Sequence, residues 1–231
     1  MKTPPPTLRK KLLHGAAAAF VIALLAGVGW YGYDAVVSHP IGKVVFTGSI
    51  QRIPNAGLDA LERDIRAGSP RPSLAAIRES ARKLPWVRDA GARRLSLDTV
   101  EVHFETHEPL ARWNDDRLVS RRGEVFAAAF DGALPRFHGG EGTAPEMLHQ
   151  YAMLAGALKP IESPIAELRL TPRRAWQATL ESGLVIDLGR GEIEPRVARF
   201  IAAWPELMQR GVDTKHADLR YANGFALRKK A

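Results

Sequence analysis

The sequence predicts an α+β protein: a single N-terminal transmembrane helix, a β-α-α-β-β domain, then a mixed domain with a mainly antiparallel sheet and two helices. Three observations carry this. An uncharged run extends from Leu12 to Tyr33 behind a basic leader. Two helical stripes then lie between stretches of strand alternation, the pattern of one sheet covered by two helices. Beyond residue 108, short strands punctuated by Asn, Asp and Gly turns interleave with two further helical stripes.

The first 14 residues form a basic tail with Lys2, Arg9, Lys10 and Lys11. Residues 15–37 follow as the span, since about 20 apolar residues are needed to cross the hydrocarbon core. Trp30, Tyr31 and Tyr33 cluster at its far end as an aromatic belt does. The positive flank places the N-terminus in the cytoplasm and the bulk of the chain in the periplasm. The competing reading is a cleaved signal peptide, whose apolar core is shorter, about 7–15 residues. A buried soluble helix would be striped, and this segment is apolar all round.

The chain has 231 residues, 45% of them apolar, which leaves room for one or two modest domains with real cores. It has no cysteine, which excludes disulfides, zinc–thiolate sites and thiol nucleophiles. Its net charge of +8 suits nucleic acid, anionic membranes or acidic proteins. On the extracytoplasmic side there is no DNA, and neither a helix-turn-helix nor an RNP-like aromatic run occurs, so nucleic acid is not an expected partner.

Residues 41–108 form the first exposed domain. A strand runs from Ile41 to Phe46 and stops at Gly48. Leu58, Leu61 and Ile65 share one helical face, with Gly68 at the C-cap position. Ser73 suits the N-cap of a second helix with Leu74, Ile77, Ala81 and Leu84 inward, ended by Pro85. A strand over WVRDAGARRL and a clearer one over VEVHFETHE follow; Val100, Val102, Phe104 and Thr106 face one way, and Glu101, His103, Glu105 and His107 the other. Trp86 reads as core. The stretches LPWVRDAGARR and DTVEVHFETHEPLARW resemble the polypeptide-transport-associated (POTRA) module as found in the FtsQ/DivIB family of bacterial division proteins.

Residues 109–231 form the second domain. PLARWNDDRLVSRRGEVF reads as short strands turning at Asn114-Asp115 and Arg122-Gly123. Met147, Tyr151, Leu154 and Leu158 mark one helix. IAELRL and AWQATLESGLVIDLG read as strands, with a hairpin at Ser182-Gly183. Val197, Phe200, Ile201, Trp204 and Met208 mark the inward face of a last helix, with Pro195 in its first turn. LPRFHGGEG, RRAWQATL, DLGRG and DLRYANGF extend the resemblance to the Gram-negative members of the family over nearly the whole chain. At the tail, Arg228-Lys229-Lys230 stands where relatives often carry an aromatic residue shortly after the Gly.

The resemblance implies a non-enzymatic scaffold of the division machinery in the inner membrane at the septum. It implies a link from early division proteins to septal peptidoglycan synthesis, through FtsB- and FtsL-like single-span coiled-coil partners. It also implies contacts with other division membrane proteins through the POTRA domain. The competing class is an extracytoplasmic enzyme acting on the cell wall, and the residues speak against it. Glu101, His103, Glu105 and His107 share a strand face, but alternating charge is what a solvated face produces. Gly189-x-Gly191 lacks the Lys-Ser/Thr of a phosphate loop. Asp115-Asp116 beside Asn114 reads as a surface turn, and no nucleophile has a placed base. No catalytic, metal or cofactor site is therefore expected.

The expected partner-binding residues are Arg173, Arg174, Tyr221, Asn223, Gly224, Phe225 and Leu227. In this reading the sheet runs on to Leu219 and Tyr221 with no strand covering its outer edge, and Asn223-Gly224 supplies a kink or bulge. A partner strand would add there, with Tyr221 and Phe225 as aromatic anchors and Arg173 and Arg174 meeting its carboxylate. A tight hairpin at Asn223-Gly224 is the competing arrangement.

Overall fold

A computed structural model describes residues 19–33, 41–68 and 72–229. Residues 19–33 form a helix, α1, every residue of which is exposed. The expected span of 15–37 extends past the described residues at both ends, and the basic tail lies outside them. Among the described residues no helix is long and apolar enough to cross a membrane. The chain divides into two compact units, Met1–Glu105 and Thr106–Ala231.

In the first unit the elements follow the order β1 (Lys43–Gly48), α2 (Asn55–Ala67), α3 (Leu74–Arg82), β2 (Val87–Arg94), β3 (Thr99–Thr106). The sheet order is β1-β3-β2, with β1 parallel to β3 and Lys43 opposite Thr99. Strand β3 drives Val100, Val102 and Phe104 into the core, where each is fully buried. Leu58, Leu61 and Ile65 of α2 and Ile77 and Ala81 of α3 cover them. Ser73 caps α3, its Oγ accepting from Ala76 N at 3.1 Å. The polar face of the sheet is ion-paired across strands, Arg93 with Glu101 and Arg88 with Glu105. Trp86 is buried at φ 72°, with the Arg52 guanidinium 5.3 Å from its ring centre. Gly68 is not the left-handed cap its position suggested. It has φ −58° and ψ 118°, and glycine is needed because a Cβ would stand 2.5 Å from Pro72 Cδ.

Among its described residues the second unit holds nine strands in the order β12-β11-β10-β9-β8-β7-β4-β5-β6. Two are very short, β6 (Val125–Phe126) and β7 (Arg136–His138), and β5 (Arg117–Ser120) has four residues. The others are β4 (Pro109–Trp113), β8 (Ile165–Leu170), β9 (Trp176–Leu180), β10 (Val185–Gly189), β11 (Thr214–Asp218) and β12 (Ala226–Lys229). Pairings are antiparallel except β4·β7, β7·β8 and β10·β11. Strand β7 is too brief to show alternation, which is why the sequence pattern passed over it. It nonetheless joins the two halves of the sheet, with Phe137 fully buried between β4 and β8.

Helices α4 (Ala144–Ala157) and α5 (Glu194–Gln209) bury Met147, Leu154, Val197 and Phe200 in the same core as the strands. Alternation sends Glu167, Arg169, Gln177, Asp187 and His216 to the opposite face. There they bond to one another: Arg169 to Glu167 along β8 at 2.6 Å, and across strands Gln177 to Asp187 at 2.7 Å and His216 to Asp187 at 2.9 Å. Met208 is a correction to the inward stripe, being 44% exposed. It lies one turn beyond Trp204, and both line an open cleft with Leu184 and Val212, so its helix face is right but the core below it has ended.

Candidate functional site

The crossover through α5 brings the chain back parallel to β10, pairing Val185 with His216 and Asp187 with Asp218. Ala217, Asp218 and Leu219 are buried, and Leu219 N donates to Asp187 O at 2.8 Å. The chain then turns through residues 220–225 and returns antiparallel as β12, with Asp218 opposite Ala226 and Ala217 opposite Leu227. The expectation of an uncovered edge at Leu219 and Tyr221 is thereby corrected. A lone hairpin is marginal in water, but β11 already belongs to a large sheet, and β12 has apolar surface to bury. Phe225 packs edge-on against Phe200 at 5.3 Å, and Leu227 is partly buried on the same core.

The loop between the two strands is held by arginines. Arg220 reaches back to Asp218 with two parallel bonds, Nε to Oδ1 at 2.8 Å and Nη2 to Oδ2 at 2.6 Å, and its backbone N adds a third at 3.0 Å. Such a fork is the geometry for which guanidinium and carboxylate are matched. It holds the Asp218 carboxyl below the usual carboxylate range and raises the Arg220 guanidinium further. Arg199, on α5, sends Nη1 to Tyr221 O at 3.4 Å and Gly224 O at 3.5 Å. Arg196 donates to Leu188 O at 2.8 Å and Arg190 O at 3.0 Å. Gly189 makes room for this cluster: at φ 77°, a Cβ there would sit 2.9 Å from Arg220 Cγ. The Gly-x-Gly of the sequence is thus a place where two arginine side chains cross a strand end.

Tyr221 is the exception to the packing. It is 57% exposed, and Ala222 and Asn223 beside it are exposed as well. The register places Arg173 and Arg174 at this same end of the sheet, in the turn leading into β9: Trp176 opposes Gly189, Asp187 opposes Asp218, and Asp218 opposes Ala226. Three inter-strand spacings, about 14 Å, separate β9 from β12. Both arginines are exposed; Arg174 has φ 63° and forms an ion pair with Glu146 in the first turn of α4. Of the seven expected residues, Arg173, Arg174, Tyr221, Asn223 and Gly224 therefore gather at one end of the sheet. Phe225 and Leu227 turn toward the core. Arg199, Arg196 and the Asp218–Arg220 clamp went unnoticed in the sequence; Asp-x-Arg at a strand end is the signal that was there.

The sequence that folds this way is similar to known proteins over most of its length. Residues 111–220 match the family described as cell division protein FtsQ/DivIB, C-terminal. The chain is 34% identical to the cell division protein FtsQ of Burkholderia pseudomallei over 227 residues, covering 94% of this chain and 90% of that one.

The chain belongs to the FtsQ/DivIB family of cell division proteins.

It is also 36% identical to cell division protein FtsQ of Nitrosospira multiformis, over 74% of this chain and 72% of that one. With the FtsQ of Escherichia coli it shares 31% identity over 81% of this chain and 72% of that one. The family match ends at Arg220, so the loop carrying Tyr221 and the whole of β12 lie beyond it.

Proposed function

We propose that the chain is a membrane-anchored scaffold of the division machinery, whose β12 edge captures a strand from an FtsB- or FtsL-like single-span partner. The observation that carries this reading is the place of β12. It ends the nine-strand sheet, and among the described residues β11 is its one strand neighbour, so its far side presents backbone N–H and C=O groups. Strand addition to such an edge draws affinity from main-chain hydrogen bonds and specificity from side chains beside it. Tyr221 supplies an exposed aromatic contact, and Arg173 offers a guanidinium to a carboxylate on the incoming chain.

In this reading residues 15–37 anchor the chain in the inner membrane with its N-terminus cytoplasmic, and residues 41–108 act as a POTRA domain that meets other division membrane proteins. Residues 109–231 hold the partner-binding strand. The experiment is a titration of the full chain, held in lipid nanodiscs, with the extracytoplasmic part of an FtsB-like partner. Single-cysteine cross-linking from β12 accompanies it, since the chain has no native cysteine. Saturable binding with cross-links from Ala226 and Arg228 supports the edge. Binding that persists undiminished when residues 226–231 are removed refutes it. Separately, fusions of a compartment reporter after Lys11 and after Ala231 should read cytoplasm and periplasm.

A further inference from the structure

Outside α1, the large hydrophobic side chains exposed among the described residues are Leu95, Leu97, Met208 and Tyr221. Met208 lines a cleft and Tyr221 belongs to the edge described above. Leu95 and Leu97 are different. They are 51% and 50% exposed and sit two residues apart in the connection between β2 and β3. Leu95 N donates to Thr99 O at 3.0 Å, which closes that connection into a tight hairpin. Single exposed leucines are ordinary on a protein surface, whereas a pair on one projecting tip calls for a partner.

The place of the tip identifies the partner. Gly42 N and Lys43 N both donate to Asp98 O, at 2.8 and 3.1 Å, so the tip lies where the chain enters the first unit. Seven residues, 34–40, join α1 to Ile41. A chain of that length reaches at most about 28 Å, so the tip is leashed close to the end of α1, a helix that exposes Phe20, Ile22, Leu25 and Trp30 on every side. Two cationic residues are tied to the tip by hydrogen bonds, Lys43 through its backbone N and Arg94 through its side chain. Lys43 is exposed, and Arg94 folds its Nη1 over Leu97 O at 3.1 Å. Arg93 is paired with Glu101. The acid of the tip, Asp98, is occupied by the hydroxyls of Ser96 at 2.7 Å and Thr99 at 3.0 Å.

We infer that the β2–β3 tip is a membrane-docking element, with Leu95 and Leu97 entering the boundary between headgroups and acyl chains and Lys43 and Arg94 lying at phosphate depth. The inference rests on the reading of α1 as part of a membrane anchor. Apolar side chains beside cations are the composition that binds a bilayer surface without crossing it. Two leucines alone give weak binding, but the anchor keeps the tip at high local concentration beside the bilayer.

The test uses the full chain in vesicles of phosphatidylethanolamine and phosphatidylglycerol that carry a nitroxide-labelled lipid as quencher. An environment-sensitive fluorophore is placed on one cysteine at a time. Ser96→Cys reports the tip and leaves both leucines in place. Lys83→Cys, at the α3 C-cap just before β2 begins, reports the far end of that strand, whose length is about 23 Å. Leu25→Cys reports the anchor. Quenching at position 96 should exceed that at position 83 by about twofold or more, as interfacial depth requires, and Leu95→Ser/Leu97→Ser in the same background should abolish the excess while circular dichroism stays unchanged. Equal quenching at 96 and 83, with strong quenching at 25, overturns the docking and leaves the anchor standing. Absent quenching at 25 overturns the anchor instead, and position 96 still decides the tip by its own signal. An excess that survives the double serine variant also overturns the inference.

Discussion

The nine-strand sheet has two ends, and they are finished differently. At one end stands β6, two residues long, Val125 and Phe126. The His107 ring stacks on Phe126 at 4.2 Å and 13°, and Glu124 Oε2 lies 3.3 Å from its Nδ1. A strand this short, with a ring laid over it, offers little backbone to pair with. At the other end stands β12, four residues long, with exposed Ala226 and Arg228 and a loop tied to α5 by Arg199 and Phe225. Edge strands are a liability that proteins blunt by shortness, covering or charge. The first end uses shortness and covering. The second is twice as long and carries charge, which discourages self-pairing and, in the function proposed above, leaves the backbone available to a partner strand. In that proposal the contrast separates an edge that is merely terminated from one that is kept open.

The largest expected effect comes from loosening the open end. Phe225→Ala removes the ring packed against Phe200 and should lower unfolding stability by about 2–3 kcal/mol. Chemical denaturation of the full chain in detergent measures it, and an unchanged midpoint would mean that the hairpin is not held by this contact. Tyr221→Ala should weaken partner binding by about 2 kcal/mol with little change in melting temperature, because the side chain is mostly exposed. Equal affinity in a titration would remove Tyr221 from the interface, and a fall in melting temperature of the same size would make its role structural.

Gly189→Ala tests whether the arginine crossing supports the open end. The left-handed backbone and the approach of Arg220 together make it cost about 1–2 kcal/mol. Phe126→Ala at the blunt end should cost about 1 kcal/mol through the lost stacking and leave partner affinity as it was. If it instead weakened binding as much as Tyr221→Ala, the two ends would not differ in the way described.

The smallest effect is a pH dependence. Arg220 holds the folded Asp218 carboxyl below its unfolded value, near 3.9. The clamp therefore contributes its stability fully above about pH 5 and loses it as the pH falls through 4 and below. Asp218→Asn should melt earlier than wild type at neutral pH, and the difference should shrink on acidification. A difference independent of pH would assign the effect to packing rather than to charge.

Much of this molecule was legible in its residues. Ser73 before a helical stripe, Val100-x-Val102-x-Phe104, Asn114 and Gly183 at turns, and Leu58, Leu61 and Ile65 at helical spacing all occupy the places their local chemistry assigned them. Each depends on neighbours within a few positions along the chain: a hydroxyl meeting an N–H three residues on, a backbone angle, a period of two or of 3.6. What the tertiary structure decided depends on neighbours far away in sequence. Strand β7 exists because β4 and β8 flank it, not because three residues prefer to be extended. Phe225 packs inward because Phe200 lies beneath it, and Gly189 is required because two arginines from later elements pass over it. The covering of β11 by β12 follows from the same cause. Alternation in Leu219, Tyr221, Phe225 and Leu227 describes an extended chain on either side of a turn, but whether the second arm folds back depends on the apolar surface that α5 supplies, and no local pattern encodes that surface.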